Sequence, residues 1–198
     1  MKCHYCDFPS CYREGKECKD LKEIFEKLTP LERKLLTVSS DIEREYYGVL
    51  TRLEELLEFA KRMGFKKIGI AFCIGLFEET KIIAKIFENH GFTVYSAACK
   101  IGAVDKAELN IEKIQPQNLE ASCNPVGQAF VLNEKNTDMN IVIGLCVGHD
   151  MLFNMHSKAP TTTLIVKDRV LAHNPAGAVY SKYHRRKLLS PSETKKET

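Results

Sequence analysis

The chain has 198 residues, 44% of them hydrophobic and 28% charged, a length that closes one core and is short for two. Lysine and arginine number 29 against 26 aspartates and glutamates, a formal +3, and the charges are interspersed, so no basic block points to nucleic acid. The longest apolar run, Ile68 to Phe77, is about half of the roughly 20 residues a helix needs to cross a bilayer.

Met1-Lys2-Cys3-His4 opens without the apolar stretch of a secretory signal, so the expected location is the cytoplasm, with neither membrane nor nucleic acid as partner. The chain carries eight cysteines, and in a reducing compartment cysteine groups bind metal or do redox chemistry more often than they form disulfides. Residues 1–19 hold four of them and few large aliphatic side chains, so this knuckle cannot order itself around a core. Asp20 with Glu23, and Thr29-Pro30 with Glu32, each match a helix start in which a cap and an acid three residues on satisfy free amides. They predict two short helices, about 20–29 and 30–38.

From Asp41 to Met63, Ile42, Tyr46, Val49, Leu50, Leu53, Leu56, Leu57 and Ala60 recur at helical spacing, with Gly64 at the stop; this predicts one continuous helix. Short apolar runs then alternate with helical segments, the pattern of a parallel sheet covered on its faces. Strands are expected at 67–72, 93–97, 140–145 and 162–166, and helices at 76–90 and 148–156. The long 100–139 connection is expected to carry a helix over about 125–133 and to cover one end of the sheet. Lys167-Asp168-Arg169 could turn the chain into a hairpin with Val170 to His173, and a solvated tail is expected from His184. The expected fold class is therefore α/β, a mostly parallel Rossmann-like or flavodoxin-like sheet with flanking helices, divided into a knuckle (1–19), an α/β domain (20–183) and a tail (184–198).

Cys3, Cys6, Cys11 and Cys18 are spaced C-x2-C-x4-C-x6-C. Four thiolates this close can wrap one soft metal ion or ligate the irons of a cluster, and binding would supply the ordering energy the missing core cannot. Zinc is common at closed four-cysteine sites, but its usual pattern pairs two C-x2-C hooks and only one is present here; an iron-sulfur cluster tolerates irregular spacing. His4 could replace one cysteine, and Cys3 with Cys6 could instead form a dithiol redox pair.

Cys73, Cys99 and Cys146 each follow a predicted strand. Strands of a parallel sheet end on one side, where open α/β folds place their ligands, so three thiols are expected to converge at one crevice. Cys123, just before the helix at Pro125, brings a fourth sulfur if the long connection covers that edge. Inert buried thiols are the alternative. Gly75, Gly102 and Gly148 follow two or three residues after the strand-end cysteines and leave room for a bulky ligand. His149 and Asp150 could supply an acid or base with its orienting partner, or simply cap a helix. Lys167-Asp168-Arg169 and His173-Asn174-Pro175 fall near the same edge and could bind a small anion, a solvated turn being the plainer reading. No P-loop and no dinucleotide fingerprint occurs.

Cys73-Ile-Gly-Leu, Ser122-Cys-Asn-Pro-Val-Gly-Gln-Ala, Gly144-Leu-Cys-Val-Gly-His-Asp and Lys167-Asp-Arg together make the chain resemble a family of uncharacterised prokaryotic cysteine-rich proteins described as predicted metal-binding proteins. The resemblance runs from the Cys3 knuckle to about Tyr180; it implies metal binding and leaves the reaction open. The leading expectation is a protein with two cysteine-ligated centres, at least one an iron-sulfur cluster of the 4Fe-4S type, serving electron transfer or a reductive reaction on a small molecule, with a redox partner protein or that molecule as partner. The alternatives are a zinc protein with a structural knuckle and a storage, sensing or delivery site, and a metal-independent thiol enzyme using Cys146 or Cys73 as nucleophile with His149 as base.

Overall fold

The computed structural model describes residues 2–190 and resolves two compact units, Met1–Tyr47 and Gly48–Thr198. In the first unit, a 3-10 turn (Cys3–Tyr5) and the short helices α1 (Ser10–Arg13) and α2 (Lys22–Glu26) contain no buried residue. Helix α3 (Pro30–Tyr46) starts at the expected cap: Thr29 accepts from the Glu32 amide and the Glu32 carboxylate accepts from the Thr29 amide. The expected stop near residue 38 does not occur. Thr37 and Ser40 hydroxyls donate to the carbonyls of Arg33 and Leu36, four residues back, so their polar groups are satisfied inside the helix and do not end it.

The continuous helix expected over 41–63 is instead two helices. Gly48 takes a left-handed φ of 71°, and Thr51 with Glu54 forms a second capping box that starts α4 (Arg52–Met63). Apolar spacing carries through a one-turn break because it counts positions and is blind to caps; Thr51-x-x-Glu54 was the signal that marks the break.

The second unit is a parallel sheet of β1 (Lys67–Phe72), β2 (Thr93–Ala98), β3 (Met139–Ile143) and β4 (Thr161–Ile165), in the order β2-β1-β3-β4. Helices α5 (Phe77–Asn89), α6 (Pro125–Glu134) and α7 (His149–His156) connect successive strands. Strand alternation sorts the packing. Ile68, Ile70 and Phe72 of β1 pack with Leu56, Leu57 and Ala60 of α4 and Ile83 and Phe87 of α5. Ala71 and Ala97 pack with Ala129 and Leu132 of α6 and Phe153 of α7 on the other face. The result is an α/β fold with helices on both faces. Its strand order reverses direction between β1 and β3, the point at which such sheets open a crevice beyond the carboxyl ends of their strands.

Among the described residues the expected hairpin after β4 does not form. Asp168 Oδ1 accepts from the amides of Val170 and Leu171, which curls the chain into a turn and leaves those amides unavailable to a strand partner. Helices α8 (Ala176–Tyr180) and α9 (Lys182–Leu189) follow, so the stretch expected as a tail from residue 184 begins inside a helix; residues 191–198 of that tail lie outside the described residues. Among the described residues no helix is long and apolar enough to cross a membrane.

Candidate functional site

The carboxyl edge of the sheet carries the crevice cysteines. Cys73 continues the ladder past β1, its amide donating to Ile143 O at 3.0 Å, and the Cys99 amide donates to Phe72 O at 2.8 Å. Counting by twos, Cys73 falls on the face of Ala71 and Cys99 on that of Ala97, and both pack in the α6 and α7 layer with Cys123 against it. The two strand-end thiols therefore share one side of the sheet, which strand position alone had left open.

The long connection is folded back on itself: Asp105 bridges Ala121, and ion pairs join Lys113 to Asp105 (2.8 Å) and Lys106 to Glu120 (2.6 Å). Its end returns to the sheet, where the Asn124 amide donates to Cys99 O at 2.7 Å. Asn124 also caps α6 by accepting from the Gly127 amide at 2.7 Å. Gln128, fully buried in α6, donates to Phe72 O (3.2 Å) and Ala97 O (2.7 Å); its Oε1 has no partner among the described residues. These bonds fix the start of α6, and so Cys123, against the ends of β1 and β2.

Cys146 stands on the loop after β3, between Gly144 (φ 64°) and Gly148 (φ 86°). Arg169 Nη2 donates to Cys146 Sγ at 3.0 Å. The same guanidinium also feels the Cys73 and Cys123 thiols, and its pKa is raised, first by the bond to Cys146. A Cβ placed on Gly75 would lie 3.4 Å from Lys167 Nζ and 3.9 Å from Cys73 Sγ, and one on Gly144 3.8 Å from Lys167 Cδ. Lys167 thus spans the mouth between the ends of β1 and β3. Among the described residues its ammonium has no acid or carbonyl partner.

Burial pushes the Cys99 thiol up to about 11; the Ile74 amide, donating to its sulfur at 3.3 Å, works against this, and the neighbouring Cys123 and Cys73 thiols add to it. A thiol raised above its unfolded value keeps its proton when the unfolded chain has lost it, so folding is disfavoured as pH climbs. The metal-free chain is expected to lose stability between about pH 9 and pH 11, read as a falling urea midpoint that Cys99→Ala flattens.

His149 and Asp150 open α7. Asp150 Oδ1 accepts from the amides of Gly148 (3.0 Å) and Met151 (2.8 Å), which is the capping arrangement, and among the described residues no hydrogen bond joins it to the His149 imidazole. Cys3, Cys6, Cys11 and Cys18 are all exposed, with the Cys6 amide donating to Cys3 O at 3.1 Å to close the C-x2-C turn. Among the described residues no three histidine, cysteine, aspartate or glutamate side chains are grouped as they would be around one metal ion, in the knuckle or the crevice.

The sequence reading missed the Arg169 contact to Cys146 and the Gln128 brace. Arg169 was legible in part: once β4 is placed beside β3, its exit loop must lie beside that of β3. Gln128 gave no signal, since one amide in an apolar helix reads as a surface residue.

A model of the family described as protein of unknown function (DUF1847) matches residues 11–164. The chain belongs to this family. The DUF1847 match takes in Cys11, Cys18 and all four crevice cysteines, and ends before Lys167 and Arg169. The chain is also similar to Uncharacterized protein MJ0455 of Methanocaldococcus jannaschii, 54% identical over 194 residues, which is 96% of this chain and 98% of that protein.

Proposed function

We propose that Cys73, Cys99, Cys123 and Cys146 ligate an iron-sulfur cluster of the 4Fe-4S type, that the Cys3, Cys6, Cys11 and Cys18 knuckle forms a second cysteine-ligated centre, and that the protein serves electron transfer or reductive chemistry on a small molecule in the cytoplasm. What supports this reading is that Cys73, Cys99 and Cys123 pack together at the carboxyl edge of the sheet, with Cys146 tied to that edge through Arg169 and with Lys167 beside it. Sulfurs around one zinc stand about 3.8 Å apart, from bonds of about 2.3 Å in a tetrahedron. The thiolates of a polynuclear cluster bind separate irons and so stand farther apart than that. Cationic neighbours suit a group whose thiolates give it net negative charge.

Anaerobically purified protein is expected to be brown and to contain iron with acid-labile sulfide. The Cys73→Ser/Cys146→Ser variant is expected to lose about four of each per chain. Zinc in place of iron, unchanged in that variant, would confine metal to the knuckle and overturn the cluster reading. The thiol-enzyme reading draws on one observation, the Arg169 guanidinium 3.0 Å from Cys146 Sγ, since a fixed cation favours a thiolate nucleophile; it requires full activity in protein free of metal.

A further inference from the structure

Cys99 and Cys123 lie far apart in sequence, yet the segment before α6 is laid against the chain leaving β2. The Ser122 amide donates to Val104 O at 2.8 Å, the Asn124 amide to Cys99 O at 2.7 Å, and Asn124 Nδ2 to Ile101 O at 3.3 Å. Cys123 is therefore clamped through both its neighbours. The bond onto the Cys99 carbonyl holds the two α-carbons roughly 5 Å apart, as in paired strands, within the roughly 4.4–6.8 Å that a disulfide spans. The sulfurs follow the backbone. Both residues pack in the layer of α6 and α7, and the Cys123 thiol is a hydrogen-bonding neighbour of the Cys99 thiol. The Ile74 amide, donating to Cys99 Sγ at 3.3 Å, fixes that sulfur at the end of β1. Access to the two differs: Cys99 is 3% exposed, whereas Cys123 is half-buried.

From this geometry we propose that Cys99 and Cys123 form a thiol–disulfide exchange site, in which Cys123 attacks a low-molecular-weight disulfide from solution and Cys99 resolves the product. This exchange lies beyond the cluster reading and does not rest on it, since it belongs to the two thiols when no metal holds them. The Cys123 thiolate attacks one sulfur of the incoming disulfide, RS–SR. That S–S bond breaks, a mixed disulfide of Cys123 with RS forms, and one RS⁻ leaves. Cys99 Sγ, as thiolate, then attacks Cys123 Sγ and expels the second RS⁻. The two cysteine protons end on the two RS⁻ groups as RSH, so two electrons pass from the cysteine pair to RS–SR and nothing else is consumed. The division of roles follows from access, because a molecule arriving from solvent meets Cys123 before Cys99.

The test uses the full chain, assayed for iron and sulfide as anaerobically purified, then freed of metal by a chelator under reductant and equilibrated with oxidised glutathione. Remaining thiols are blocked with N-ethylmaleimide in acid, and the unreduced peptides are mapped by mass spectrometry. The parent is expected to yield a linked Cys99–Cys123 peptide. In Cys99→Ser that peptide is lost and Cys123 keeps glutathione as a mixed disulfide, the resolving thiol being gone; in Cys123→Ser, Cys99 is expected to stay reduced. Glutathione retained on Cys123 of the parent, or a Cys73–Cys99 link in place of the expected one, overturns the pairing. Both thiols left reduced in the parent overturns the exchange. The same link formed no more often in the metal-free chain than in the chain unfolded in urea shows that the fold does not select the pair, and overturns it too. Iron and sulfide report the cluster separately: their absence from the anaerobic preparation overturns that reading while the linked peptide leaves the pair standing.

Discussion

Gly69→Ala is expected to destabilise the α/β unit by about 3–5 kcal/mol, with a fall in Tm of about 10 °C. Gly69 lies in the middle of β1, paired on one side with Tyr95 of β2 and on the other with Asn140 of β3. A methyl there would overlap the Asn140 side chain and come within 3.1 Å of Thr137 Cγ2. Asn140 is fully buried; its Oδ1 accepts from Thr137 Oγ1 and its Nδ2 donates to Ser157 Oγ, both at 2.8 Å. Ser157 in turn donates to Ala159 O at 2.8 Å. Moving Asn140 aside therefore strands several buried polar groups at once, which costs more than the overlap alone. The double variant Gly69→Ala/Asn140→Ala removes the obstructing side chain and should recover part of the loss. Calorimetry showing Gly69→Ala within about 2 °C of the parent would show that this network does not bind β1 to β3.

The same residues show where reading the sequence succeeds and where it stops. Strand β1 and helices α5 and α6 were legible within two residues, because an apolar run bounded by turn signals, or a cap followed by periodic spacing, is a local property. That Cys73 and Cys99 end at one edge of the sheet was legible, since parallel strands end together; that both thiols lie on one face of it was not. Asn140 was read as the first residue of a strand, with no hint of burial, because its partners Thr137 and Ser157 are united only by the tertiary fold. The break at Gly48 and the bends after Asp168 were missed for a different reason. A single side chain capturing backbone amides, Thr51 in one case and Asp168 in the other, outweighs the average preference of its neighbours. The Arg169 contact to Cys146 depends on β4 lying next to β3, which no local pattern states.

Gly144→Ala is expected to cost about 2–4 kcal/mol and to do so at the site itself. Gly144 adopts φ 64°, a conformation that costs an L-residue about 1–2 kcal/mol. The added methyl would also overlap the Leu76 side chain, which is only 2% exposed and belongs to the core, and overpacking there adds about 1–3 kcal/mol. The Gly144 amide donates to Ile165 O at 2.7 Å, so the strain falls on the joint between β3 and β4 from which Cys146 and Lys167 depart. Iron content in the anaerobically purified variant should drop together with Tm. Gly75→Ala provides the contrast: its backbone is not left-handed, and its methyl would meet only the flexible end of Lys167 and the Cys73 sulfur at ordinary distances, so a change in Tm within about 2 °C is expected. Should Gly144→Ala match Gly75→Ala in both Tm and iron, the Cys146 loop takes its shape from something other than the left-handed turn.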